Sequence, residues 1–207
     1  MFNRLMLPTL LSILILSMAG CGSDTPQQQQ TPAAAAPAPA APKPEENVPV
    51  YELTKDDITS HAGWTSRNIS ILGAKLGDKT RDAEKAFGEV DNTRTLQDEY
   101  LTVYQRQGLF VYTFKLTGKI RKFEVYEPFA PKIADAKLKK LLTGGDLKYM
   151  REVLGMEEGD AIQNTDDPTS PATEYPYDSR GFRFVKFKVA GKTVNALRFM
   201  EIKKATS

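Results

Sequence analysis

The residues able to do chemistry are few in this 207-residue chain, which holds one cysteine and one histidine. The histidine, His61, follows Ser60 directly in a polar stretch with no apolar period. A Ser-His-Asp arrangement would have to use it, and no Gly-x-Ser-x-Gly elbow surrounds any serine. Carboxylates recur in pairs, at Asp56-Asp57, Glu157-Glu158-x-Asp160 and Asp166-Asp167. They fall in loops or at element ends, where solvated charge is the expected role, and none has the Asp-x-Asp-x-Asp-Gly spacing of a calcium loop. Gly144-Gly145-Asp146 places a negative cap where a phosphate loop would offer bare amides. A glycosidase would use two carboxylates brought together by the fold, which spacing along the chain does not reveal. No catalytic residue, metal site or small-molecule cofactor is expected. A formal charge of +2 gives no basis for binding nucleic acid.

The cysteine, Cys21, ends a stretch with the layout of a secretory signal. Arg4 gives the positive start, Leu5 to Leu16 is mostly apolar, and Ala19-Gly20 offers small residues before a cut. The apolar run is shorter than the ~20 residues of a spanning helix, and Gly22-Ser23-Asp24 turns polar at once. This ending resembles a bacterial lipobox, with Met18 where leucine is commonest. The resemblance implies that residues 1–20 are removed and that Cys21 carries acyl chains, making a membrane the first expected partner. Such anchors hold durably only when more than one chain is attached. Gly22 in place of an aspartate implies, in a Gram-negative cell, an outer-membrane location facing the periplasm. Residues 21–48 then read as a tether, with a Gln27–Gln30 run followed by alternating alanine and proline. Prolines block a helix there and favour an extended chain of about 3.1 Å per residue.

The folded part begins near residue 49. Ala83, Ala86 and Phe87 have helical spacing, with Asp78 or Thr80 as candidate caps and Gly88 as a stop. Strand patterns follow at Tyr100–Gln105, Leu109–Leu116 and Ile120–Tyr126, the last two joined by a turn at Thr117-Gly118-Lys119. The order then returns. A helix over Ala134–Leu142 leads to a second helix capped by Asp146 and closed by Gly155, and strands follow at Glu174–Tyr177, Phe182–Val189 and Val194–Ile202. Tyr104 to Phe110 answers Tyr177 to Arg183, and Gly118-Lys119 answers Gly191-Lys192. The expected fold class is therefore α+β. Two tandem repeats, at 49–130 and 131–207, would each pack a helix or helical hairpin on one face of a three-stranded antiparallel meander. Cations alternating along the last strands (Arg183, Lys186, Lys188, Lys192, Arg198) read as a solvated outer face.

The stretches Gly77–Gly88 and Gly144–Gly155 carry a resemblance to the SmpA/OmlA type of envelope lipoprotein, represented in the outer-membrane assembly machine, and to the tandem repeat of β-lactamase inhibitor proteins. Both families set a short glycine-bounded helix before three strands. The chain departs from the usual motif at Lys79, Asp82 and Tyr149, and has two units where assembly-machine members normally have one. The resemblance implies an envelope setting and a sheet face that holds another protein.

Aromatic residues crowd both sets of strands, and Tyr104, Tyr112, Tyr177 and Phe184 are the candidate binding residues among them. The expectation is a lipid-anchored, non-enzymatic envelope protein that binds or scaffolds another envelope protein. The alternatives are an inhibitor or modulator of a secreted enzyme and, from a different class, a hydrolase of cell-wall glycan.

Overall fold

The computed structural model describes residues 48–61, 63–164, 171–189 and 191–202. Cys21 with the lipobox-like stretch before it, most of the segment expected to be a tether, and the Asp166-Asp167 pair lie outside the described residues. None of the described helices is long and apolar enough to cross a membrane.

A short parallel pair, β1 (Tyr51–Glu52) with β2 (Ile69–Ser70), opens the chain. Helix α1 (Thr80–Phe87) follows, then β3 (Asn92–Thr95), β4 (Glu99–Tyr104), β5 (Leu109–Phe114) and β6 (Ile120–Tyr126). Helices α2 (Ala136–Gly144) and α3 (Leu147–Leu154) come next, then β7 (Ile162–Asn164), β8 (Ala172–Tyr177), β9 (Phe182–Val189) and β10 (Lys192–Met200). Strands β3 to β10 form one antiparallel sheet in the order β3-β4-β5-β6-β10-β9-β8-β7.

This corrects the expected pair of three-stranded repeats. Each half contributes four strands, and the halves merge where β6 pairs with β10, from Lys122 opposite Met200 to Tyr126 opposite Ala196. The strands missed in the sequence, β3 and β7, are short and polar and sit at the two outer edges. They lack apolar alternation because neither buries a face. Merging also answers a physical need, since a half of this size encloses little core and the seam removes two exposed edges.

One face of the sheet carries the helices. Ala83 and Phe87 of α1, Leu138, Leu141 and Leu142 of α2, and Met150 and Leu154 of α3 are buried against it. Asp135 and Asp146 cap α2 and α3, accepting from the amides of Leu138 at 2.7 Å and Tyr149 at 2.8 Å. Neither expected cap of α1 acts as one. Asp78 accepts from the Lys75 amide, Thr80 turns its hydroxyl to Thr113 of the sheet, and the N-cap position falls to Lys79, which makes no side-chain bond.

Beneath the helices, Phe87 meets Tyr104 and Phe123 edge-on, while Trp64, Phe182 and Tyr177 stack with centroids 4.8 and 4.6 Å apart. Arg180 lies over Trp64 at 3.9 Å and donates to its carbonyl, so the segment before β2 is clamped to the second half.

Candidate functional site

The other face of the sheet carries no described helix. Alternation along each strand decides what it shows. From β5 come Phe110, Tyr112 and Phe114, from β6 Lys122, Glu124 and Tyr126, and from β10 Val194, Ala196, Arg198 and Met200. Arg183, Val185 and Phe187 follow from β9, and Glu174 from β8.

Charge lies at the centre of this face. Arg198 stands directly opposite Glu124 across the seam and opposite Arg183 on its other side. Its Nε donates to Glu124 Oε2 at 2.6 Å, and Nη1 reaches past β9 to Glu174 Oε1. Glu174 also accepts from Arg183 Nη1 at 2.8 Å and from Asn164 at 3.1 Å, and Arg183 continues to Asp178. Two arginines facing each other repel, and one carboxylate between them removes that cost. The side chains of Glu124 and Glu174 are only 4% and 3% exposed, so the pairing is made in a poorly solvated place. Towards the β4 edge, Lys122 binds Glu99 at 2.7 Å and lies over the Tyr112 ring.

Apolar groups flank the charges. Phe110 and Tyr126 have ring centroids 4.9 Å apart, and Tyr126 meets Phe187 edge-on at 6.3 Å. Val185, Phe187 and Ala196 form a small buried cluster against Tyr126, Ala172 and Val194, separate from the main core.

The electrostatics follow from this packing. Burial raises the Glu174 carboxyl, but Arg198, Arg183 and Asn164 outweigh it and hold the group below its ordinary 4.5. Desolvation pushes the Tyr112 phenol up, and the Glu124 charge adds to that. For Arg198, burial works against the charged form, but Glu124, Tyr112 and Glu174 together hold its proton more firmly than usual. A general acid at neutral pH needs a raised carboxyl pKa. Glu174 is moved the other way, and Glu124 is engaged by the same arginine.

Of the residues singled out in the sequence, Tyr112 lies on this face. Tyr104, Tyr177 and Phe184 are corrected: they are buried at 0%, 2% and 0% exposure on the helix side and offer nothing to a partner. Ser60 donates to the Asp57 carbonyl while His61 packs on the Tyr51 ring, so the two are not arranged as nucleophile and base. Glu157 pairs with Arg151, and Glu158 accepts from the amide and hydroxyl of Ser179. Among the described residues no group of three or more potential metal ligands converges.

The arginines Arg183 and Arg198, expected on a solvated face, are the centre of the site, with side chains 21% and 17% exposed. The signal for them was present but weak. Glu124 lies between Phe123 and Val125, and Arg198 between Leu197 and Phe199, so each charge interrupts a strand otherwise buried on its other face. Comparison of the chain with protein-family models, with curated proteins and with solved structures returns no match.

Proposed function

We propose that this chain is a lipid-anchored, non-enzymatic protein of the cell envelope whose helix-free sheet face binds another envelope protein. The observation that carries the reading is that face itself: half-buried aromatic side chains on the β5 and β6 side of the seam, beside charges already neutralised within the molecule. Aromatic anchors beside ordered polar groups are what a protein partner exploits. Internally paired charges can enter an interface without exposing a bare ion. The lipobox supports the setting and the Ala-Pro tether supports reach, since an extended residue 22–48 segment would span roughly 80 Å.

The test is a crosslinking pull-down from membranes with wild type, Cys21→Ser, and a Phe110→Ala/Tyr126→Ala double variant. A partner recovered with wild type and lost at least about tenfold with the double variant supports the reading. Release of Cys21→Ser from the membrane fraction, or its retention as precursor, supports the anchor. Equal recovery with the double variant would place the partner elsewhere on the molecule. Cleavage of cell-wall material by the purified protein would replace the reading with a hydrolase.

A further inference from the structure

The helix layer differs in charge from the sheet face. In α2 the leucines Leu138, Leu141 and Leu142 point inward. At about 100° per residue this places Lys140 at the outer crest and Lys137 and Lys139 on its flanks. Lys140 Nζ lies 4.6 Å from the centroid of Tyr149 on α3, and the Tyr149 hydroxyl donates to the Lys137 carbonyl at 3.5 Å. The exposed Lys148 precedes that half-buried tyrosine in α3, and Lys132 lies over Phe129 just before α2.

Among the described residues none of these five lysines forms an ion pair, whereas Arg183, Arg198 and Lys122 on the sheet face all do. The exposed carboxylates of α3 and its cap are Glu152 and Asp146, and Asp146 is occupied as the cap. Helix α1, by contrast, mixes Arg81 and Lys85 with Asp82 and Glu84. In a chain with a formal charge of only +2, this is a strong local excess.

We propose that the α2–α3 surface docks on an anionic lipid surface. The occupant follows from the form of the patch. Its leucines are all turned inward and it has no apolar centre, so it lacks the buried anchors of a protein interface. Spread cations around one tyrosine match a surface whose charge is also spread and needs no shape complement, and tyrosine is favoured at the edge of a bilayer. Each lysine near such a surface strengthens binding about fivefold, an effect confined to roughly a Debye length. That makes contact reversible and salt-sensitive. The inference rests on the lipid-anchor reading only for keeping a membrane within reach.

The test therefore omits the anchor. Residues 21–207 with Cys21→Ser are sedimented with vesicles of phosphatidylglycerol and phosphatidylcholine, and with phosphatidylcholine alone. Binding is expected to the anionic vesicles only, to weaken steeply with salt, and to fall by at least about a hundredfold in Lys137→Glu/Lys140→Glu/Lys148→Glu. The matching Lys→Arg triple should retain it, and unchanged near-ultraviolet circular dichroism would show that the reversed chain is folded. Absence of binding to anionic vesicles, equal binding to both vesicle types, or indifference to the charge reversals would each overturn the proposal. So would an acidic protein captured through the same lysines without vesicle binding. Failure of the anchor is read separately, from fractionation of Cys21→Ser in cells.

Discussion

The two halves of the sheet share a frame and differ in how well it is satisfied. In each, a helix ends on a glycine of positive φ (Gly88 at 90°, Gly155 at 89°), and β4 and β8 each end in a buried tyrosine. A single 3-10 turn follows that tyrosine (Gln105–Gln107 and Asp178–Arg180), closed by Gly108 or Gly181 in the left-handed region. Yet the Tyr177 hydroxyl donates to the Gly155 carbonyl at 2.8 Å, while the buried Tyr104 hydroxyl has no partner among the described residues. Helix α3 has a side-chain cap and α1 has none. Burial lifts both phenols to about 12, helped by Glu84 for Tyr104 and by Glu157 for Tyr177, so both stay neutral at ordinary pH. The difference teaches that the frame is set by glycines and aromatic volume, while hydrogen bonds around it are a separate layer that one half lacks.

The largest effect is expected at the seam, where the halves depend on each other. Arg198→Ala leaves Glu124 and Glu174 in a poorly solvated place without their shared partner, and should cost about 3–5 kcal/mol in urea unfolding. Because the Glu174 carboxyl lies below 4.5 in the folded state, its ionised form stabilises the fold above that pH. The contribution is lost as pH falls through the depressed value. Glu174→Gln should therefore flatten the acid limb of the unfolding midpoint against pH, and an unchanged limb would show that other carboxylates set it.

The paired glycines come next. A Cβ at Gly108 would lie 2.4 Å from the Phe129 nitrogen, and one at Gly181 would lie 2.0 Å from Ser66 Oγ and 2.8 Å from the Met200 carbonyl. Either alanine substitution should cost about 3 kcal/mol, from left-handed strain and overpacking together. A mild result at one of them would show that its half relaxes where the other does not.

The tyrosines sharpen the contrast. Tyr177→Phe should cost about 1–2 kcal/mol by stripping a bond from the Gly155 carbonyl, whereas Tyr104→Phe should be neutral or stabilising, since it removes a polar group that has no partner. Equal losses would mean that the two hydroxyls are equivalent in solution. The caps give the smallest pair. Asp146→Ala should cost about 1 kcal/mol, and Lys79→Asp should gain a fraction of that, both read as shifts in thermal midpoint.

Local structure was largely legible in the sequence. The span of β6 from Ile120 to Tyr126 stands as the alternation suggested, and Asp146 caps α3 as its position implied. What was hidden was which face of a strand turns inward. In β5 the run Leu-Phe-Val-Tyr-Thr-Phe is apolar on both sides, so period two has no polar partner to break the tie. Tyr104, Tyr177 and Phe184 lie in other strands, and all three turn to the helix side. The joining of the halves was hidden too, because Glu124 and Arg198 pair across 74 residues of chain and leave no local trace.

The position of β10 carries a consequence for synthesis. The last of the described strands along the chain, β10, is one of the two at the middle of the sheet, with β6 on one side and β9 on the other. A nascent chain complete through Val189 still presents two unsatisfied strand edges, and its most distant contacts close last. The sheet thus remains an open template until β10 emerges. A chain stopped before β10 would hold not a smaller sheet but two unjoined halves with open edges.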